Sequence, residues 1–232
     1  MDIKKGDVKK MIRESLELEP RGASSGELSE SVVATPKTYR LNTELLLTKT
    51  KDAHKELYSH YIASFNQASA ELDTADRKSS NSEGSEYRAV KVDEQYNMNA
   101  SYLHELYFSN ISDPYSEINL DSFAHMRLSR DFGTFDDWQR DFVACANSAR
   151  GGWVVTAVST YLKKYVNFIV DDHSKHVLVG TYPVIVLDMW EHARRDYLNH
   201  KQEYVKAMMK EFDWNIIEER FKRGDLILKA IS

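Results

Sequence analysis

A carboxylate and an imidazole stand four residues apart in the segment DMWEH, which contains Asp188 and His192. This segment follows the apolar run YPVIVL, a pattern typical of a buried strand, and the end of such a strand can hold a metal site of nitrogen and oxygen ligands rigidly. The same spacing also occurs in ordinary surface pairs. A charged Asp188 after an apolar run needs a partner to offset its burial, which favours a metal, with Trp190 as an apolar wall.

Composition limits the ligands and partners that the chain can use. It has 232 residues, 42% of them hydrophobic, and a formal net charge of −5. Lys and Arg are scattered and form no basic stripe that would neutralise phosphates, so we expect no nucleic-acid partner. Cys145 is the only cysteine, which excludes an internal disulfide and a thiolate metal cluster and fits a reducing compartment. If the protein binds a metal, the ligands must therefore be His and carboxylate side chains.

Hydropathy gives no sign of membrane attachment. The first residues, MDIKKGDVKKMIRESLELE, contain no apolar segment of the kind that a signal peptide has. No later stretch approaches the roughly 18 uncharged apolar residues that a membrane span needs. We therefore expect a cytoplasmic protein.

Helical periodicity dominates the N-terminal half. Residues 1–19 have apolar positions at roughly helical spacing, and the Gly-, Ser- and Pro-containing stretch 20–36 reads as a linker, so together they predict an N-terminal arm. Helices are predicted over 49–72 and 93–109, joined by the polar segment TADRKSSNSEGSEYRA as a loop. These two helices are expected to form a hairpin.

In the C-terminal half, the hydrophobic periodicity changes from that of helices to that of strands. Thr134 is a candidate N-cap, with Asp137 three residues on, for a helix ending near Gly151. Three strands and two further helices are predicted after it, over Trp153–Thr160, Tyr165–Val170, Tyr182–Leu187, 194–211 and 213–222.

The predicted fold class is α+β, an N-terminal helical hairpin followed by a three-stranded antiparallel sheet with flanking helices. Its predicted parts are an N-terminal extension and linker over 1–45, a helical hairpin domain over 46–112 and an α/β domain over 113–232.

Two segments resemble the iron/manganese superoxide dismutase family, and the resemblance covers about residues 48–222. The stretch VIVLDMWEHA followed by YLNHKQEYVKAMMKEFDWNIIEERF resembles the family's D-x-W-E-H-A signature and closing helix. The stretch FGTFDDWQRDFVACANSARGGW resembles the family's helix that runs into a G-x-G-W turn. The resemblance implies the same fold and the disproportionation of superoxide to oxygen and hydrogen peroxide.

The resemblance also implies one iron or manganese ion per chain, bound by three His, one Asp and a solvent molecule. Asp188 and His192 match two of the ligands residue by residue. His104, in LHELYF, matches a third, although Leu103 and Phe108 depart from the family's Asn and Trp. The remaining ligand is expected to be His54, and His60 is an alternative that reads better as a surface residue.

Residues around the metal differ from the family pattern. His173 lies fifteen residues before Asp188, where the family places the group that hydrogen-bonds the metal's solvent, and the small Ala100 leaves that space free. The family's gateway tyrosine would fall at position 62, which is Ile. Tyr58 and Tyr61 are therefore the candidate catalytic phenols.

The resemblance implies a homodimer in which Glu191 bonds the partner's ligand histidine. Arg194 and Arg195 stand where the family has two tyrosines, so we expect a weakened or re-registered dimer and activity below the family norm. Residues 1–36 are expected to be dispensable for the metal site and to serve attachment to an assembly partner.

A second class of function fits the same fold. These departures and the N-terminal arm leave open a non-catalytic structural or assembly subunit that retains the superoxide dismutase fold. The sequence does not support zinc hydrolysis, because it contains no HExxH motif. It does not support non-haem iron oxygenation either, because no cosubstrate motif is visible.

Overall fold

Two long helices pack against each other in the N-terminal half of the protein. Helix α1 spans Thr48–Thr74 and helix α2 spans Glu86–Asn110. The computed structural model describes residues 33–112, 115–177 and 179–231, so residues 1–19 of the predicted N-terminal arm and nearly all of its linker lie outside the described residues. The predicted helical hairpin is confirmed.

A buried stripe recurs every three or four residues along α1 and faces the rest of the protein. It consists of Thr50, His54, Tyr58, Ile62, Phe65, Ala68, Ser69 and Leu72. His54 therefore lies in the middle of the apolar face rather than on the surface. The exposed His60 lies on the opposite side of the same helix, as predicted.

The sheet has three antiparallel strands in the order β2-β1-β3. Strand β1 is Trp153–Ser159, β2 is Lys164–Val170 and β3 is Thr181–Asp188. The central β1 is buried along its whole length. Its first residue, Trp153, pairs with Val170 on one side and with Asp188 on the other, so β2 and β3 both end beside the start of β1.

Four further α-helices in the described part of the chain surround the sheet. They are α3 (Phe123–Phe132), α4 (Phe135–Ser148), α5 (Lys201–Lys210) and α6 (Trp214–Ala230). The predicted N-cap of α4 is confirmed, because the Thr134 hydroxyl accepts a hydrogen bond from the Asp137 amide at 3.0 Å. No helix in the described ranges is long and apolar enough to cross a membrane. The α+β fold class is therefore as predicted.

Two predicted helix boundaries are wrong, and one helix was not predicted. Helix α2 begins at Glu86 and not at 93, because Ser85 caps its first turn by accepting a bond from the Arg88 amide. Helix α3 was not predicted at all. Helix α6 continues past 222 to Ala230. Gly224 does not end the helix; it allows close packing against Tyr165, because a Cβ at this position would lie 2.7 Å from the Tyr165 hydroxyl.

The start of the helix predicted over 194–211 is also wrong. A short 3-10 turn spans Arg195–Tyr197, and α5 begins only at Lys201. Two long-range hydrogen bonds prevent an α-helix from forming at 195–200. The Asp196 carboxylate accepts from the Leu47 amide at 2.8 Å, and the Tyr197 hydroxyl donates to the Leu45 carbonyl at 2.9 Å. Tertiary contacts outweigh helix propensity here.

Candidate metal centre

Asp188 lies at the centre of a buried cluster of three histidines. Its Oδ2 atom is 3.1 Å from Nε2 of His54, 3.1 Å from Nε2 of His192 and 3.9 Å from Nε2 of His104. One ligand atom from each of the four residues lies within 4.8 Å of all the others. The structure thus brings together the four residues that the sequence nominates as ligands.

Each candidate ligand comes from a different element of the fold. His54 is on α1, His104 is on α2, Asp188 ends β3 and His192 follows in the turn after it. In that turn the Ala193 and Arg194 amides donate to the Trp190 carbonyl, which bends the chain back toward the cluster. The site therefore exists only when the hairpin packs on the end of the sheet.

Hydrogen bonds fix the orientation of His104 and Asp188. The His104 Nδ1 atom is 2.7 Å from the Ala100 carbonyl. Because a carbonyl can only accept, Nδ1 carries the proton and the Nε2 lone pair faces the cluster. Asp188 Oδ1 accepts from the Trp190 amide at 2.8 Å, and the Asp188 carbonyl accepts from the Tyr204 hydroxyl at 2.7 Å.

Two of the ring nitrogens at this site are buried without a hydrogen bond. They are Nε2 of His54, which approaches Asp188 without hydrogen-bond geometry, and Nε2 of His104. Buried polar atoms are nearly always satisfied, so such atoms facing one carboxylate fit coordination to a cation. The donor set of three imidazoles and one carboxylate suits iron or manganese.

Electrostatics keep the ligands in the protonation states that metal binding requires. Burial lowers the pKa of His104 to about 3 and also lowers the pKa of His54, so both rings are neutral. Burial raises the pKa of Asp188, but the adjacent His192 and His54 lower it by more, and the net pKa falls below the usual range. Two neutral imidazoles and a carboxylate thus share the site.

His173 closes the cluster on the side of the loop after β2. It is fully buried, its ring centroid is 6.1 Å from that of His104, and neither of its ring nitrogens has a hydrogen-bond partner. The backbone carbonyl of His173 accepts a hydrogen bond from the side-chain amide of Asn99 at 2.7 Å. Burial lowers the pKa of the His173 ring to about 4. Ala100, next to Asn99 in the chain, is also buried.

The two candidate phenols lie in different places. The Tyr61 ring centroid is 5.2 Å from those of both His104 and His173, so Tyr61 faces the cluster. The Tyr58 hydroxyl points elsewhere: it donates to Glu105 at 3.0 Å and accepts from the Lys37 amide at 3.0 Å. Of the two, the structure brings only Tyr61 to His173.

Tyr96 also contacts His173 and was not predicted. Its ring centroid is 4.7 Å from that of His173, and its hydroxyl interacts with Tyr61. The sequence holds a signal for it, because Tyr96, Ala100 and His104 are spaced four residues apart and share one face of α2.

The residues expected at a dimer interface are at the surface beside the cluster. Glu191 and Arg195 are exposed, and the His192 side chain is 23% exposed. The Arg194 guanidinium donates to the Met189 and Leu198 carbonyls, so its hydrogen bonds are made within its own chain.

Comparison with known proteins identifies the family. A sequence profile described as iron/manganese superoxide dismutases, C-terminal domain, matches residues 121–220. The chain is 31% identical to a superoxide dismutase [Fe] of Aquifex pyrophilus over 196 residues, which is 82% of this chain and 91% of that protein. The chain belongs to the iron/manganese superoxide dismutase family.

Relatives of this family differ in the metal that their names carry. The chain is 28% identical to a superoxide dismutase [Mn] 2 of Haloferax volcanii over 78% of this chain and 88% of the relative. It is 36% identical to a superoxide dismutase [Fe] of Cupriavidus metallidurans over 57% of this chain and 66% of the relative. Iron and manganese members of the superoxide dismutase family are therefore both similar to it.

Proposed function

We propose that this chain is a superoxide dismutase that acts at one iron or manganese ion bound by His54, His104, Asp188 and His192. The observation that carries the proposal is the convergence of one ligand atom from each residue within 4.8 Å. Membership of the family supports the reaction, in which one superoxide is oxidised to oxygen and another is reduced, with two protons, to hydrogen peroxide.

Iron or manganese bound here would supply the change between divalent and trivalent states that both half-reactions need. The protein residues prepare the place for it. Asp188 contributes a negative charge that offsets that of the ion, and the Trp190 amide and Tyr204 hydroxyl hold it in position. The bond from His104 Nδ1 to Ala100 keeps its Nε2 lone pair directed at the site.

His173 and Tyr61 are proposed to manage protons and access. The His173 ring nitrogens have no partner within the described residues, so they are free to hydrogen-bond a solvent molecule or a small anion. Burial raises the pKa of the Tyr61 phenol above its usual range, so its hydroxyl stays protonated and can donate. Aromatic rings around them, including Trp153 and Trp190, exclude bulk water.

Metal content and dismutase activity of matched histidine variants test this proposal. His192→Ala removes a proposed ligand, whereas His60→Ala removes an exposed histidine from the ligand-bearing helix α1. We expect His192→Ala to lose bound metal and activity together, and His60→Ala to keep both. Retention of full metal and activity by His192→Ala, or absence of metal and activity from the wild type grown with both metals, would refute the function.

We also propose that two copies associate through the surface around Glu191. The partly exposed His192 and exposed Glu191 support this surface, because a carboxylate from a second copy could reach the ligand ring there. Sedimentation of the wild type beside Glu191→Ala tests it. We expect the variant to dissociate at a higher protein concentration, and an unchanged dimer would exclude Glu191 from the interface.

A cytoplasmic location is a further proposal. It is supported by the single cysteine, Cys145, which fits a reducing compartment. Cell fractionation with a cytoplasmic marker tests it, and recovery in a secreted fraction would contradict it.

A further inference from the structure

Arg220 on α6 is a buried cation without a carboxylate partner in the part of the chain that the structure describes. Its side chain is 6% exposed. The guanidinium donates to the side-chain oxygen of Asn110 and to the carbonyls of Leu106, at 3.1 Å, and Val184, at 3.3 Å. These neutral acceptors fix its position but leave its charge uncompensated.

A cavity of about 340 Å³ adjoins this guanidinium. Three phenols line it, from Tyr39, Tyr102 and Tyr182, together with a second arginine, Arg223. Within residues 33–112, 115–177 and 179–231, Arg223 forms no ion pair with any carboxylate either. Two guanidinium groups and three hydroxyls thus border one space.

The two carboxylates on the cavity wall already have partners. Glu105 forms an ion pair with Lys37 and accepts from the Tyr58 hydroxyl. Glu219 is 2.7 Å from the ammonium group of Lys222. Arg223 also attracts the Glu219 carboxylate, but within the described residues neither carboxylate forms an ion pair with Arg220 or Arg223.

The charge balance favours an anion in this space. Burial lowers the pKa of Arg220 to about 10, and repulsion from Arg223 adds to that effect. Burial raises the pKa of both Tyr39 and Tyr102, so these phenols stay neutral and can donate hydrogen bonds. An oxyanion would relieve the repulsion and accept those bonds.

We propose that this cavity, which is separate from the metal centre, binds a small ligand through a phosphate or carboxylate group. The planar guanidinium suits both groups because it can donate two parallel hydrogen bonds to them. Arg220 forms the floor, Arg223 lies at the rim, and the phenols of Tyr39, Tyr102 and Tyr182 supply further donors. The aromatic walls leave room for a small organic part of the ligand.

Calorimetric titration of the metal-loaded protein with inorganic phosphate, at constant ionic strength, tests the site. The double variant Tyr102→Phe with Arg223→Gln removes a phenol donor and a rim cation from exposed positions, so the fold is preserved. Lys229→Gln is the matched control, because it removes one positive charge from an exposed position on the same helix, outside the cavity lining. Parallel titrations with acetate and citrate distinguish phosphate from carboxylate ligands.

We expect saturable binding of phosphate or of a carboxylate in the wild type. The double variant should raise the dissociation constant by about tenfold or more, as expected when charged hydrogen bonds are lost, and Lys229→Gln should leave it unchanged. Three results would overturn the proposal: no saturable binding of any of the three anions, equal affinity in the double variant, or an equal loss in the control.

Discussion

At the scale of single residues, Tyr58 and Tyr61 show that position in the sequence alone does not decide which of two nearby side chains faces the candidate metal centre. Both tyrosines are near the family's gateway position, and the sequence leaves the choice between them open. In the structure, the Tyr61 ring contacts His173, whereas the Tyr58 hydroxyl donates a hydrogen bond to Glu105. The rotation of α1 about its axis decides which phenol faces the metal centre.

Phenylalanine substitutions should separate the two tyrosines. Tyr61→Phe removes a hydroxyl that faces the cluster, so we expect dismutase activity to fall by about tenfold or more, as is typical when a positioned proton donor is lost. Tyr58→Phe removes two hydrogen bonds away from the cluster, so we expect activity to persist and the free energy of unfolding to fall by about 1–2 kcal/mol. Initial rates and urea unfolding of both variants measure these effects, and the reverse pattern would place Tyr58 at the active site.

Three of the four proposed ligands could be nominated from the sequence because they sit in local patterns. Asp188 and His192 stand in one short motif, and His104 lies in a recognisable helical segment. Tyr96 and Asn99, by contrast, matter because a loop from β2 brings His173 against them. The spacing of Tyr96, Ala100 and His104 indicates that Tyr96 shares a face of α2 with His104, but no local pattern in the sequence indicates its contact with His173.

At the scale of elements, the segment after β3 stabilises the start of α1. Asp196 accepts from the Leu47 amide and from the Thr50 hydroxyl, both at 2.8 Å. Helix α1 has no side-chain cap from its own N-cap residue, so this distant carboxylate takes that place. Because His54 lies one turn beyond Thr50, the contact also helps to position a proposed ligand.

We expect Asp196→Ala to lower the free energy of unfolding by about 1–2 kcal/mol, as for loss of a helix cap. Metal occupancy should fall as well, since the start of α1 would fray near His54. Asp52→Ala is the control, because Asp52 is an exposed partner of Lys55 and such pairs contribute less than about 1 kcal/mol. Chemical unfolding and metal analysis measure both effects, and equal stability of the two variants would show that Asp196 is no cap.

Gly224 provides a second test at this scale. Helix propensity alone favours Ala by about 1 kcal/mol, but overpacking costs about 1–3 kcal/mol. The Tyr165 hydroxyl, 2.7 Å from the position of the new Cβ, is held by its bond to the Phe221 carbonyl and cannot move aside freely. We therefore expect Gly224→Ala to lower the midpoint of thermal unfolding, whereas Gly84→Ala, whose Cβ would meet nothing within 4 Å, should not. A midpoint raised by Gly224→Ala would mean that the helix is not packed in this way.

Element types were predictable from the sequence where the hydrophobic period is clear, whether or not a cap residue precedes the element. The hairpin helices, the capped α4 and the three strands follow this rule. The start of the helix expected over 194–211 was wrong because Asp196 and Tyr197 bond to residues near 45–50, about 150 positions away in the chain. Such contacts exist only after folding, so helical periodicity cannot report them.

At the scale of the whole molecule, the metal centre joins the two halves of the fold. The helical hairpin supplies His54 and His104, and the sheet side supplies Asp188 and His192. A bound ion would therefore link the halves directly. Because an ion that binds only the folded protein stabilises it, we expect chelation to lower the midpoint of thermal unfolding, and a midpoint insensitive to chelation would contradict this link.

The location of the metal within the purified protein tests the central claim most directly. Anomalous diffraction at the iron and manganese absorption edges identifies the ion and its position in a crystal of the protein. We predict one peak per chain, of iron or manganese, bounded by His54, His104, Asp188 and His192. A chain that binds neither ion, or a peak held by other residues, would contradict the account.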